Sequence, residues 1–239
     1  MKLKVLACDV LARELYYCAA FSQHIIDIEL LDSSYHEKPE SMHIMLQERI
    51  NEIKGGYDYI LIGFGLCGKV LNKLKSRDIP LVIPRAHDCM TLFMGSKKKY
   101  EEYFINNPGT MFYAESWTER KGILNERKEF ESVGLTKTFE EYEKKYGREM
   151  AEYLYEILGD WKSKYTKVLH LYNKNMGKKY SKDLKEIAKK RNWIYLEMEI
   201  DNILITKFIN GNWNDEEFVI IEKNKTVLQS IDQNLIEYK

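Results

Sequence analysis

Charge of either sign is in no surplus: Lys and Arg together number 37, and so do Asp and Glu. Without a basic excess nothing holds a phosphate backbone, and without an acidic excess there is no solvating tail, so nucleic acid and membrane surfaces are not expected partners. Long apolar runs are missing too. No stretch approaches the ~20 apolar residues of a membrane-spanning helix. In the opening "MKLKVLACDVLARELYY", Asp9, Arg13 and Glu14 break the run before a signal-peptide core can form. The expectation is a soluble cytoplasmic protein. Cysteine is scarce: Cys8, Cys18, Cys67 and Cys89 are all there is, with no CxxC pair among them. That argues against thioredoxin-like redox chemistry and, in a reducing compartment, for thiols or metal ligands over disulfides. A phosphate-loop Gly-Lys-Ser/Thr and a Gly-x-Ser-x-Gly elbow are absent, and "GFGLCG" is not accompanied by the full dinucleotide fingerprint. With only four Pro and abundant Lys, Ile, Asn and Tyr, the composition resembles that of proteins from AT-rich genomes, many of them bacterial anaerobes.

What the chain does have is length and apolar content, 239 residues and 44% hydrophobic, enough for one large or two small α/β domains. "KLKVLAC", "IIDIELL", "YDYILIGFG" and "IPLVIPR" read as strands. Between them "DVLARELYYCAAF", "PESMHIMLQERINEI" and a short "LCGKVLNKLKSR" read as helices, and "DCMTLFMGSKKKYEEYF" is helical again. Such alternation predicts a parallel sheet covered on both faces. Residues 119–165 read as a helical connector with an apolar stripe through Tyr146, Met150, Tyr153, Leu154 and Ile157. Beyond it "TKVLHLYN", "KKYSKDLKEIAKKRN", "WIYLEMEI", "NILITKFING" and "EFVIIEK" alternate once more. The expectation is an α/β protein of two Rossmann-like or flavodoxin-like parallel-sheet halves, residues 1–118 and 166–239, joined by that connector.

The right-handed crossover rule and the commonest short α/β topology order the first four strands 2-1-3-4, and ligands of such sheets bind beyond the carboxyl ends of the strands at the switch point. Cys8 ends the first strand, Cys67 follows the third, and Cys89 follows the fourth in "PRAHDC". The strand given to the edge, "IIDIELL", ends without one. Each of the three precedes a predicted helix, whose positive end lowers a thiol's pKa and favours the thiolate. Gly65 and Gly68 beside Cys67 let the backbone turn tightly and approach a ligand. Arg85 adds positive charge. His87 is a candidate ligand, proton shuttle or turn residue, Asp88 a candidate carboxylate or helix cap, and Glu14 the other available carboxylate. A single cysteine is ordinary core material, and Cys18, on the apolar face of the first helix, is assigned there. His36 in "SSYHEKPE" reads as a surface turn, Trp117 and Trp213 as core residues or pocket walls, and His24, His43 and His170 carry no signal.

"LACDVLARELYY", "YDYILIGFGLCGKVLNKL", "IPLVIPRAHDCMTLFMGSKKKYEEYF", "PGTMFYAESW" and "DNILITKFINGNWNDEEFVII" together resemble the domain of unknown function 1638 family over nearly the whole chain. The family's cysteine after strand one, its "GLCG" and its "PRxHDC" are matched by Cys8, Cys67, Arg85, His87, Asp88 and Cys89, while a later Pro-Pro-Gly-like segment is replaced by "EKNKT". The resemblance implies no established activity; it implies the company of anaerobes, methanogens and corrinoid methyl-transfer genes. Three cysteinates leave one position open on zinc or on one iron of a 4Fe-4S cluster. Sulfurs on successive strands ~4.8 Å apart span an arc that a cubane fills more readily than one zinc with ~2.3 Å bonds. The leading expectation is an iron–sulfur protein, an enzyme by preference, in which Cys8, Cys67 and Cys89 hold a 4Fe-4S cluster with an open iron for a small molecule or sulfide. Arg85 and His87 would orient or protonate that ligand, the second α/β half would close the crevice, and three-cysteine thiouracil desulfidases offer a functional analogy. The alternatives are a zinc-thiolate protein in corrinoid-linked methyl transfer, with a corrinoid protein or methyltransferase as partner, and a non-catalytic metal or corrinoid carrier.

Overall fold

The computed structural model describes residues 1–33, 39–66, 70–122, 139–154, 165–230 and 235–239. His36, Cys67, Gly68 and Ile157, all singled out above, lie outside the described residues. The first sheet is built around β1 (Lys2–Cys8), in which Leu3, Val5, Leu6 and Ala7 are fully buried. A run that is apolar on both faces suits a central strand. β2 (Ile25–Leu31) and β3 (Tyr59–Gly63) flank it, both parallel to it, and β4 (Leu81–Pro84) adds to β3 in parallel. The order β2-β1-β3-β4 is the one expected from the crossover rule and the commonest short α/β topology, with the half-exposed β2 at the edge. A 3-10 turn at Asp9–Leu11 leads into α1 (Ala12–Ala20), and α2 (Pro39–Glu52) precedes β3.

Residues 70–77 do not form the helix that their pattern predicts. Lys73 adopts a left-handed φ of 69°, Lys75 bridges Thr226, and the Ser76 hydroxyl donates to the carbonyls of Glu222 (2.6 Å) and Lys225 (3.2 Å). Partners from the far end of the chain thus take the segment's backbone, and this tertiary pairing outweighs local propensity. The stretch after β4 is two helices, α3 (Cys89–Met94) and α4 (Lys97–Asn106). They are parted at Gly95, whose φ is +78° and whose absent Cβ would fall 2.7 Å from Asp201 Cγ. The last predicted strand of the second half, β8 (Phe218–Ile221), instead joins the first sheet antiparallel to β4.

The chain divides into two compact units, Met1–Tyr103 with Glu199–Lys239, and Phe104–Met198. Besides the five-stranded sheet, the first unit holds α9 (Ile203–Ile209), which packs on α1, and the antiparallel pair β9 (Val227–Gln229) and β10 (Ile236–Tyr238). The second holds β5 (Thr110–Ala114), α5 (Glu115–Lys121), α6 (Phe139–Tyr146), α7 (Arg148–Leu154), β6 (Lys167–Tyr172) and α8 (Ser181–Arg191), with β7 (Ile194–Glu199) closing the sheet β5-β6-β7. β5, unforeseen in the sequence, runs parallel to β6. Met111, Tyr113, Val168, Leu184, Ile187 and Ala188 form the core between strands and helix. In the expected helical connector Met150 is 49% exposed, and its neighbour Ala151 is buried. The result is a mixed α/β protein with parallel-sheet portions. Among the described residues no helix is long and apolar enough to cross a membrane.

Candidate functional site

The carboxyl ends of β1, β3 and β4 lie side by side. Cys8 closes β1; it is buried, with its thiol 4.0 Å from Asp9 Oδ1. That carboxylate also accepts from the Ser33 amide at 3.1 Å, which ties the end of β2 to the end of β1. β3 and β4 leave the sheet by the same tight turn: the Phe64 amide donates to the Ile62 carbonyl (3.0 Å), and the Ala86 amide to that of Pro84 (2.9 Å). The two exits then join, the Leu66 amide donating to the Ala86 carbonyl at 3.0 Å. Leu66 is the residue before Cys67 in the sequence. Close contact of the loops is possible because position 65 is glycine: a Cβ there would lie 2.5 Å from the Asp88 α-carbon.

Asp88 has the role of a helix cap. Its Oδ1 accepts from the amides of Met90 (2.9 Å) and Thr91 (3.2 Å), and its Oδ2 accepts from the Tyr100 hydroxyl (2.7 Å). This clamp sets Cys89, half-buried, as the first residue of α3. His87 faces α4, with Nε2 3.8 Å from Glu101 Oε1 and its ring beside Tyr100. Arg85 turns to the C-terminal strands. Its Nε donates to the carbonyls of Asp215 (2.9 Å) and Phe218 (3.2 Å), and its Nη1 to that of Ile236 (2.6 Å). Its charge is thereby engaged by backbone of the β8 and β10 segments. Glu14 is buried in the first turn of α1, near Cys18. Burial pushes the Cys18 thiol up, the Thr206 hydroxyl 3.4 Å away pulls it back, and the Glu14 carboxylate adds to the rise. Cys18 is therefore a protonated core thiol between α1 and α9. Trp213 donates through Nε1 to the Phe208 carbonyl (2.8 Å) and meets Tyr59 edge to face.

Two groups near this rim were not legible in the sequence. Ser33 Oγ, just past β2, and Thr91 Oγ1, in α3 just past β4, are buried and have no hydrogen-bond partner among the described residues. A buried hydroxyl without a partner costs about 1–3 kcal/mol, a cost that a bound water or ligand relieves. Their only sequence signal is placement directly behind strand ends. Among the described residues no three His, Cys, Asp or Glu side chains are grouped so as to hold a metal ion; Cys67 is not among those residues.

The family model for "Protein of unknown function (DUF1638)" matches residues 30–209. The chain belongs to this family. The matched span includes Cys67, Arg85, His87, Asp88 and Cys89, and it begins beyond Cys8 and Glu14. The likeness is thus narrower than the near-complete coverage that the motifs suggest. No curated protein and no solved structure matches the chain.

Proposed function

We propose that the carboxyl rim of the first sheet is a metal–thiolate site in which Cys8, Cys67 and Cys89 hold a 4Fe-4S cluster that takes a small molecule or sulfide. One observation carries the reading: the order β2-β1-β3-β4 makes neighbours of the three parallel strands that end at or just before these cysteines. Cys8 and Cys89 carry thiols outside any disulfide, the donor type that both iron–sulfur clusters and zinc accept. β1 and β4 are separated by β3, hence by roughly 10 Å at two ladder spacings. One zinc joins sulfurs no more than about 4.6 Å apart through its ~2.3 Å bonds, so the span favours the larger cluster. When bound, the cluster would supply an iron with a coordination position left open to a ligand. The chain's own residues would shape the ligand's surroundings. Asp88 and Tyr100 would hold the Cys89 turn, Gly65 would admit close backbone approach, and the Ser33 and Thr91 hydroxyls would offer hydrogen bonds. Of the four acid–base candidates, half-exposed His87 is best suited to move a proton, since Arg85 and Asp88 are engaged structurally and Glu14 lies buried near Cys18.

Anaerobic purification followed by iron, acid-labile sulfide and zinc determination tests this directly. The expected result is about four irons and four sulfides per chain, lost in Cys8→Ala, Cys67→Ala and Cys89→Ala and kept in Cys18→Ala. Stoichiometric zinc without iron would overturn the cluster in favour of zinc-thiolate chemistry. Absence of both metals from protein prepared without oxygen would overturn the rim as a metal site.

A further inference from the structure

The second unit carries a polar chain of its own. His170, in the middle of β6, is 0% exposed, and both its ring nitrogens are engaged: Nε2 lies 2.6 Å from Glu115 Oε1 and Nδ1 2.9 Å from the Tyr195 hydroxyl. Tyr195 donates to Glu197 Oε1 at 2.7 Å, and Ser181 Oγ lies 3.1 Å from the same hydroxyl. Lys178 first, then Tyr195, hold the Glu197 carboxyl down at about 2, so it is ionised and only accepts. Burial above all pushes the Tyr195 phenol up, so it keeps its hydrogen.

The hydrogens available along this chain of contacts fix its charge. Tyr195 has one hydroxyl hydrogen, and Glu197 receives it. The contact to His170 must then be made by hydrogen on Nδ1, and the Nε2–Glu115 contact needs another. His170 and Glu115 together thus hold one proton more than a neutral imidazole beside a carboxylate, and the pair is electrically neutral.

Beside this neutral pair the strand ends leave two donors unused. Ser116 Oγ and Asn173 Nδ2 are buried without a hydrogen-bond partner among the described residues, in residues 2% and 3% exposed. The parallel register Ala114↔Leu171 places both at the carboxyl end of neighbouring strands, Ser116 just past β5 and Asn173 just past β6. Ligands of α/β sheets bind at such ends. Asn173 Oδ1 already accepts from the Asn175 amide at 3.0 Å, so the unsatisfied group of this side chain is the NH2. Two donors call for a ligand rich in acceptors. With Glu115 neutralised by His170, a negative ligand is not repelled there, and the loop after Asn173 adds exposed Lys174 and Lys179.

We propose that the carboxyl end of β5 and β6 binds a small oxyanion, a phosphate or carboxylate group, whose oxygens accept from Ser116 Oγ and Asn173 Nδ2. Both donor atoms are closed off from solvent, so access requires the turn after β6 to shift. That turn is short, held by the amides of Met176 and Gly177 donating to the Asn173 carbonyl at 3.0 Å each.

Nitrogen-15-labelled full-length protein, titrated at constant ionic strength with sodium phosphate and separately with sodium acetate, tests the site. The expected result is a saturable shift of the Asn173 side-chain NH2 resonance with one of the two salts, which distinguishes a phosphate from a carboxylate ligand. Affinity should fall about tenfold in Ser116→Ala, the worth of one hydrogen bond to a charged group, and further in Asn173→Asp, which exchanges the donor for an acceptor. If Asn173→Asp fails to fold, Ser116→Ala alone carries the comparison. Shifts confined to Lys174 and Lys179 and indifferent to Ser116→Ala would mean an adventitious ion only and overturn the proposal. So would an Asn173 resonance unmoved by either salt.

Discussion

Gly65 and Asp88 touch backbone to backbone, with room for a hydrogen but not for a methyl group at position 65: its carbon would lie 2.5 Å from the Asp88 α-carbon and 2.8 Å from the Asp88 nitrogen. The contact joins the exits of β3 and β4. Gly65→Ala should therefore force the two loops apart and cost about 1–3 kcal/mol, the usual penalty of overpacking. Urea unfolding followed by circular dichroism measures it. A midpoint equal to wild type would show that the loops part without resistance.

Asp88→Ala removes both the cap of α3 and the acceptor for Tyr100. Loss of such a cap costs about 1–2 kcal/mol, and Tyr100→Phe should cost about 1 kcal/mol through its lost hydrogen bond. Because Tyr100 donates to the Asp88 carboxylate, the double variant should be less destabilised than the two single effects added together. Simple additivity in a denaturation cycle would deny the coupling.

Arg85→Met keeps the aliphatic bulk of the side chain but removes all the donors that reach the β8 and β10 carbonyls. Hydrogen bonds from a charged group are worth about 1.5–3 kcal/mol each in such settings, so the C-terminal segment should loosen first. Limited proteolysis followed by mass spectrometry should find cleavage after residue 210 at protease levels that leave wild type intact. Unchanged resistance would show that β9 and β10 hold without this clamp.

Glu197 gives the second unit a pH dependence with a definite sign. Its folded carboxyl is lowered from 4.5 to about 2, so it contributes stability that is complete above pH 4.5 and disappears as pH falls through about 2. The Glu197→Gln protein should melt below wild type at neutral pH, by an amount matching about 1 kcal/mol or less for a partly exposed ion pair. The gap should close over that acidic window. A gap that persists at pH 2 would place the effect elsewhere than in the charge.

Much of the first sheet could be read in advance. β1 and β2 fall on the predicted residues because continuous burial and edge alternation leave different apolar patterns in seven residues each. The strand order followed from the right-handed crossover together with the commonest short α/β topology. Local pattern failed where distant residues decide. The segment 70–77 reads as a helix and is held instead by residues near 225. β8 looks like any short buried strand, and nothing in "EFVIIEK" says that its partner is β4, or that it runs antiparallel.

The site was legible to a similar degree. Asp88 as a cap can be read from its position before an apolar helical stretch. Arg85 reads as a charge for a ligand, yet its partners are carbonyls more than a hundred positions later in the chain. His170 gave no sign at all, since Glu115 and Tyr195 stand 55 and 25 positions from it and only the pairing of strands unites them. Polar networks of this kind belong to topology, which a single sequence encodes only indirectly.

The return of β8 to the sheet that β1 begins also bears on how the chain is made. On a ribosome the strands of the first sheet through β4 emerge early, but the outer edge of β4 waits for Phe218–Ile221 to be synthesised. Residues Phe104–Met198 are contiguous and can fold in the interval. The nascent chain thus carries an open apolar edge, "LVIP", from the synthesis of β4 until that of β8. Edges of that kind recruit other strands, so a message truncated before β8 would yield a product prone to associate with its own kind, and a chaperone's most valuable moment on this protein falls before Phe218–Ile221 appear.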